Sequence, residues 1–200
     1  YHAYLRAWAT GDGTELNKLG SVSAAAEASK KTGTVPDNHD FEYKRHKGVR
    51  LDPYSNVPAW RTVRYTTSDD FVNWSSPKLV KFDPPLSMNE QLYTNGVQPY
   101  FRAPHIYIGV PKRFNPFRKK ILEHNEPGVS DGGFMTSRDG QQWKLWSEAF
   151  IRPGLDKKNW LDRNTLPVCG VLKTGPEEIS LYWTEHYNSE VCRIRRGTLR

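Results

Sequence analysis

The chain has 200 residues, 36% hydrophobic and 12% aromatic, with a formal net charge of +7. That composition supports one ordinary core, or a piece of a larger one, and excludes disorder along the whole chain. The basic residues are scattered in short groups such as Lys30-Lys31, Lys112-Arg113 and Arg195-Arg196 with acidic residues between several of them. No nucleic-acid-binding pattern accompanies them, so solvated surface charge is expected rather than a nucleic-acid groove, with an anionic polysaccharide as a further partner to weigh.

Seven Trp and ten Tyr, with 15 Gly and 14 Pro spread along the chain, point to an all-β, turn-rich protein. Residues 1–8 alternate as a strand and Gly11-Asp12-Gly13 ends it. The chain thus opens inside a strand and not at a signal peptide, the expectation for a sequence without its own N-terminus. From 14 to 56 the periodicity collapses into an irregular insertion or lid loop, with one Ala-rich piece at 21–31 that suits a short helix. Order returns in a strand at 60–67, followed by a short edge strand at 79–82 and a polar, loop-like stretch at 90–100. The run Ala103-Pro104-His105-Ile106-Tyr107-Ile108-Gly109-Val110 is the most strand-like in the chain, and its apolar character predicts burial on both faces. Residues 114–128 read as a basic loop, 149–152 as a short strand and 153–164 as a polar connector. Three strands then follow, at 166–173, 179–185 and 191–199, as an antiparallel meander. Cys169 and Cys192 fall on its first and third strands, which predicts two free, buried thiols, no disulfide and no Cys-based zinc site. No run of about 18 apolar residues is present, so no membrane-spanning helix is expected.

One pattern occurs twice. Thr67-Ser68-Asp69-Asp70-Phe71-Val72-Asn73-Trp74 and Thr136-Ser137-Arg138-Asp139-Gly140-Gln141-Gln142-Trp143 share the frame T-S-x-D-x-x-x-W. Asp70 and Asp139 stand where a carboxylate accepts from backbone amides two residues on, Ser68 and Ser137 add a hydroxyl to the same loop, and Gly140 supplies permissive backbone. Trp74 and Trp143 are expected to fold back onto the sheet, each burying roughly 150–250 Å². A turn that recurs after a β-type run marks a repeated antiparallel blade. Residues 1–13 with 57–82 make a partial first blade, 83–152 a second and 153–200 a third, so the chain reads as about two and a half to three blades. Closing a ring of blades takes at least four, which makes this a β-propeller segment.

The turns S-D-D-F-V-N-W and S-R-D-G-Q-Q-W resemble those of the five-bladed β-propeller glycosidases of glycoside hydrolase families 32, 43 and 68. E-Q-L-Y-T-N-G-V-Q-P-Y-F-R-A-P-H-I-Y-I-G-V-P, W-L-D-R-N, Y-W-T-E-H-Y and R-I-R-R-G-T-L-R are similar to bacterial propeller proteins described as glycoside hydrolases, over residues 60–200. The resemblance implies a secreted or periplasmic protein acting on a polysaccharide or oligosaccharide in a funnel on the propeller axis. The alternative is a carbohydrate-binding propeller without catalysis. Hydrolysis needs two carboxylates flanking the glycosidic bond. In the family one of them belongs near the start of the first blade, whose inner strand this chain lacks, so a complete pair is not assignable.

Arg102 and His105 flank Ala103-Pro104 at a strand mouth, where they suit sugar hydroxyls, a carboxylate or a sulfate, or else a local acid and a satisfied core histidine. Asp131 is either a funnel carboxylate, the second member of a catalytic pair, or a turn former before Gly132-Gly133. Asp162 and Arg163 read equally as a substrate-contacting pair or a surface salt bridge. Glu185, beside His186 at the end of Leu-Tyr-Trp-Thr, is the candidate general acid, since aromatic surroundings raise a carboxyl pKa; the alternative is an exposed strand-end residue. His186 joins the substrate-binding candidates. His105, His124 and His186 lack the close spacing of a helical metal site, and no phosphate loop, nucleophile elbow or dinucleotide fingerprint is present, so no metal and no cofactor is expected.

Overall fold

The computed structural model describes residues 1–10, 50–51, 58–85, 90–115, 118, 120–121, 123, 128–187 and 189–200. They are all-β, in several antiparallel sheets with one short 3-10 helix, and fall into two compact units, Tyr1–Leu79 and Val80–Arg200. The helix predicted at 21–31 and nearly all of the predicted insertion lie outside the described residues.

The first unit is built on β3 (Pro58–Thr67). β1 (His2–Thr10) pairs with it antiparallel along nearly its whole length, from His2 opposite Thr67 to Thr10 opposite Ala59. β2 (Arg50–Leu51) pairs with the start of β3 and β4 (Lys78–Leu79) with Arg64 and Tyr65 near its end, so these two share the other edge. The predicted strand at 79–82 is in fact divided, its second half serving the other unit as β5 (Lys81–Phe82).

In the second unit, β8 (Ala103–Gly109) and β9 (Lys112–Asn115) form one strand with a break at Pro111, which has no N–H to give to a ladder. Opposite them run β10 (Val129–Gly132) and β11 (Met135–Ser137) in a single continued register: Asp131 faces Arg113, Gly109 faces Met135, and the Gly133 N–H donates to Pro111 O at 2.8 Å across the break. β6 (Gln91–Leu92) and β7 (Gln98–Tyr100) line the other edge of β9 and β8. β12 (Gln142–Leu145) adds beyond β11, and β5 pairs parallel to it. The result is a bent four-stranded antiparallel meander. The stretch at 90–100, expected as a loop, thus carries two short strands, at its start and its end, because Phe114 and Arg113 of β9 and Ile108 and Tyr107 of β8 stand opposite them. A second sheet is the three-stranded meander β13 (Leu166–Lys173), β14 (Ile179–Glu185) and β15 (Arg193–Leu199).

The two sheets touch where glycine permits it. Gly96 and Gly170 have φ of +51° and +64°, and a Cβ on Gly170 would stand 2.8 Å from Gly96 O. Beside them Gln98 Nε2 donates to Val171 O. Ile108, Val110, Ile151, Val171 and Leu181 form the core here. Burial on β8 is confined to its last residues, with Pro104 and His105 exposed, so the expected burial of the whole strand on both faces is corrected. The strand predicted at 149–152 is a single bridge between Ile151 and Gly132. Cys192 is exposed, against the prediction of a buried thiol, because it precedes the outer strand of its sheet.

Both repeated turns have the expected polar staple. Asp70 Oδ1 accepts from the Val72 and Asn73 amides at 2.9 and 2.7 Å, and Asp139 Oδ1 accepts from Gln141 and Gln142 at 2.8 Å each. Ser68 and Ser137 donate to the same carboxylates at 3.0 Å. Hydrogen bonds led by the Asn73 and Gln142 amides hold the two carboxyls below the usual range. The aromatic half of the motif differs. Trp143 is 1% exposed but Trp74 is 38% exposed, against the prediction that both bury. Trp74 meets Phe71 edge-on at 5.5 Å, and Phe71 is itself exposed. Phe71 also occupies the position of Gly140 with the same left-handed backbone, φ +64° against +73°. An L side chain there costs about 1–2 kcal/mol. Phe71→Gly should therefore leave stability unchanged or raise it by up to about 1 kcal/mol, and Gly140→Ala should lower it by about 1 kcal/mol, in urea unfolding. A loss in the first variant as large as in the second would mean that the Phe71 ring contacts outweigh the strain.

Candidate functional site

Lys112 and Arg113 are successive residues of β9, so their side chains leave the strand on opposite faces. Both are buried, and a buried cation needs a paired, hydrogen-bonded counter-charge. Each finds it in a different part of the chain.

Arg113 meets Asp131, its cross-strand partner, through a two-pronged contact of 2.9 Å (Nε to Oδ1) and 3.2 Å (Nη2 to Oδ2). Its Nη1 donates to Glu90 Oε1 at 3.1 Å and to Ser147 O at 2.8 Å. Arg118 donates to Asp131 Oδ2 at 3.2 Å. Burial alone pulls the Arg113 pKa down, but the hydrogen bonds and charges of Asp131 and Glu90 outweigh it and leave it raised. Asp131 is thus a strand residue clamped by two guanidinium groups, and not the turn former that its place before Gly132-Gly133 allowed.

On the other face Lys112 Nζ lies 2.6 Å from Asp162 Oδ1 and 4.6 Å from the centre of the Tyr93 ring. The same Asp162 oxygen accepts from Ser130 Oγ at 2.9 Å and from the Arg163 amide at 2.7 Å. Asp162 and Arg163 are therefore not paired with each other: Asp162 faces inward to Lys112, while the Arg163 side chain is exposed, its guanidinium carbon 5.9 Å from the centre of the Tyr187 ring.

The loop that carries them is held by side-chain amides. Asn164 Oδ1 accepts from the Tyr187 amide at 2.7 Å, Asn159 Oδ1 from the His186 amide at 3.2 Å, and Asn159 Nδ2 donates to Pro153 O. His186 is buried with Nε2 2.7 Å from Asp156 Oδ2. The Lys158 amide, followed by His186, holds the Asp156 carboxyl below its usual range. Arg163, Thr165 and His186 have φ of +67°, +51° and +55°, three of the four non-glycine residues with left-handed backbone among the described residues. Asn164 Nδ2 and His186 Nδ1 are buried without a protein partner. Strain of this kind gathers where the fold serves a purpose other than its own stability.

Glu185 stands at the end of β14 opposite Arg193, whose Nε and Nη2 lie 3.0 and 2.9 Å from Oε2; Arg195 Nε is 3.7 Å from Oε1. The apolar setting expected for a general acid is absent, and two guanidinium groups face the Glu185 carboxyl instead.

The predicted site residues therefore divide by sheet end. Asp131, Asp162, Arg163, Glu185 and His186 lie at the end where β6 and β13 begin and β9 and β14 finish. Arg102, in the turn from β7 to β8 and 5.6 Å from the Phe101 ring centre, and exposed His105 lie at the other, some seven residues of strand away from Lys112, or roughly 23 Å at about 3.3 Å per residue. A groove of about 470 Å³ opens at that far end, against Asp139 and Trp143 of the second repeated turn, and none of the five gathered residues lines it. Sequence reasoning missed Lys112, Arg113, Asn159, Asn164 and Tyr187. The usable signal was the place of Lys112-Arg113 only one residue after the apolar run 106–110, where a continuing strand carries its charges inward. His124 lies outside the described residues, and among the described residues no cluster of three or more His, Cys, Asp or Glu is placed to hold a metal ion. No helix among them is long and apolar enough to cross a membrane. Compared with protein-family models, curated proteins and solved structures, the chain has no match.

The two kinds of ion pair differ in what they contribute. Asp162→Asn leaves Lys112 buried without its counter-charge and should cost about 3–5 kcal/mol in chemical unfolding. Glu185→Gln breaks a pair whose arginines are half exposed and should cost no more than about 1 kcal/mol. Equal losses would refute the division into a buried anchor and a rim contact.

Proposed function

We propose that the chain is a segment of a carbohydrate-active β-propeller of the five-bladed glycosidase type, from a secreted or periplasmic protein, and that it binds a polysaccharide or oligosaccharide at the sheet end carrying Asp162, Arg163, His186 and Tyr187. The observation that carries this reading is the joining of Asp162 and Arg163 to His186 and Tyr187 through the side-chain amides of Asn159 and Asn164, at the sheet end opposite the Asp139 turn. Support for the propeller comes from the four-stranded meander of β6–β7, β8–β9, β10–β11 and β12, and from the same T-S-x-D turn leading out of β3 and β11.

The role of this surface is recognition. Carboxyl groups, backbone groups and side-chain amides on hydrogen-bonded loops suit sugar hydroxyls, and Tyr187 and Trp160 offer rings for stacking. Glycosidic hydrolysis is the second reading, favoured by the presence of three carboxyl groups, Asp131, Asp162 and Glu185, at the same sheet end, although Asp131 and Asp162 serve opposite faces of β9. It requires a carboxyl that donates a proton, and in this chain each of the three instead faces one or more cations.

The test is a binding and hydrolysis screen of polysaccharides and oligosaccharides with the full-length protein. Binding should fall about tenfold in Tyr187→Ala and stay unchanged in Arg102→Ala, at the opposite end. Sugar release that disappears in Glu185→Gln would favour hydrolysis over recognition. Failure to bind any glycan, or equal weakening by Arg102→Ala, would contradict the proposal.

A further inference from the structure

We infer that the ligand of this site carries an anionic group on the sugar, a uronate carboxylate or a sulfate ester, and that the Arg163 guanidinium binds it while the ring of Tyr187 packs against the sugar. The inference rests on the reading of this surface as a glycan site and specifies what kind of glycan it takes.

The first ground is charge. At this end of the sheets Lys112 is matched by Asp162, Arg113 and Arg118 by Asp131 with Glu90, and Arg193 and Arg195 face Glu185. Arg163 is exposed and, among the described residues, has no carboxylate partner. A guanidinium is a planar fork matched to the two oxygens of a carboxylate or sulfate, and it remains charged at any working pH. A neutral hydroxyl would use neither property. Stacking over Tyr187 limits the positions open to the guanidinium and so lowers the entropy lost when it grips an anion.

The second ground is independent of charge. The Arg163 backbone is left-handed, with φ +67°, and is held there by its amide bonds to Asp162 Oδ1 and Ser130 Oγ. The adjacent Asn164 accepts from the Tyr187 amide at 2.7 Å, so one short loop positions both the cation and the ring. His186, the residue before Tyr187, is left-handed as well. In the same loops Asn164 Nδ2 and His186 Nδ1 are buried without protein partners. Two strained loops, tied to each other and to the buried Lys112–Asp162 pair, present one unmatched guanidinium and one ring side by side.

The experiment measures affinity of the full-length protein for acidic oligosaccharides, each against a neutral counterpart of the same backbone: oligogalacturonate with its methyl ester, and a sulfated galacto-oligosaccharide with its desulfated form. At least one acidic member should bind about tenfold or more tightly than its counterpart, and the preference should shrink as salt is raised. The pair that shows it tells a carboxylate from a sulfate ligand. Arg163→Gln should abolish the preference without lowering the melting temperature, since the side chain is exposed, and Arg163→Lys should keep part of it. Equal binding of both members of each pair, or a preference that survives Arg163→Gln, would overturn the inference while leaving glycan binding in place. Absence of binding to every glycan, acidic or neutral, would overturn the underlying reading and this one with it.

Discussion

Two adjacent cations on a buried strand are the constraint around which the larger unit is organised. A lone buried charge costs several kcal/mol, so Lys112 and Arg113 oblige the chain to bring a carboxylate to each face of β9. Arg113 is served from the neighbouring strand by Asp131, with Glu90 and the Ser147 carbonyl completing its donors. Lys112 is served from far along the chain by Asp162, which draws the connector after Ile151 back over the start of β10 and brings Ser130 into the same bond. Well-packed apolar residues would often give equal or greater stability at such positions. A charged solution therefore makes most sense as a device for position, fixing where the 159–165 loop sits and which way it faces.

Consequences of that anchoring run outward from the buried pair to the surface. Asp162 is turned inward, and the next residue, Arg163, presents its side chain outward on left-handed backbone. Asn159 and Asn164 then bind the amides of His186 and Tyr187, joining the connector to the end of the β13–β15 sheet. Each side-chain amide here takes the place that regular secondary structure would otherwise fill. The outcome is a polar surface built from two loops tied together by side-chain hydrogen bonds.

Features whose causes are local were legible in the sequence. The T-S-x-D turns fold through contacts two or three residues away, so their Ser and Asp roles were readable, and the β13–β15 meander followed from its alternation and turn residues. Features decided by tertiary partners were not. The stretch 90–100 looked like a loop because the strand character of its two ends depends on cross-strand partners such as Phe114, Arg113 and Ile108, which no local pattern reveals. Lys112-Arg113 looked like solvated charge, since burial of charge depends on a carboxylate 18 or 50 residues away. Trp74 and Trp143 are alike in sequence yet differ in burial, because the surface that would cover Trp74 is not encoded in its own turn. Of the nominated site residues, those in W-L-D-R-N and E-H-Y came together and the pair around Ala103-Pro104 did not, since position along a strand fixes its end of the sheet and Arg102 stands just before β8 while Arg113 lies in β9.

The Arg113 and Asp131 charges are mutually dependent and hold position at the expense of stability. A double-mutant cycle on unfolding free energy, with Arg113→Met, Asp131→Leu and the combined variant, tests it directly. Each single variant should lose about 3–5 kcal/mol, while the double variant should be more stable than either single one, giving a coupling of at least about 2 kcal/mol. Single losses that simply add in the double variant would contradict the account.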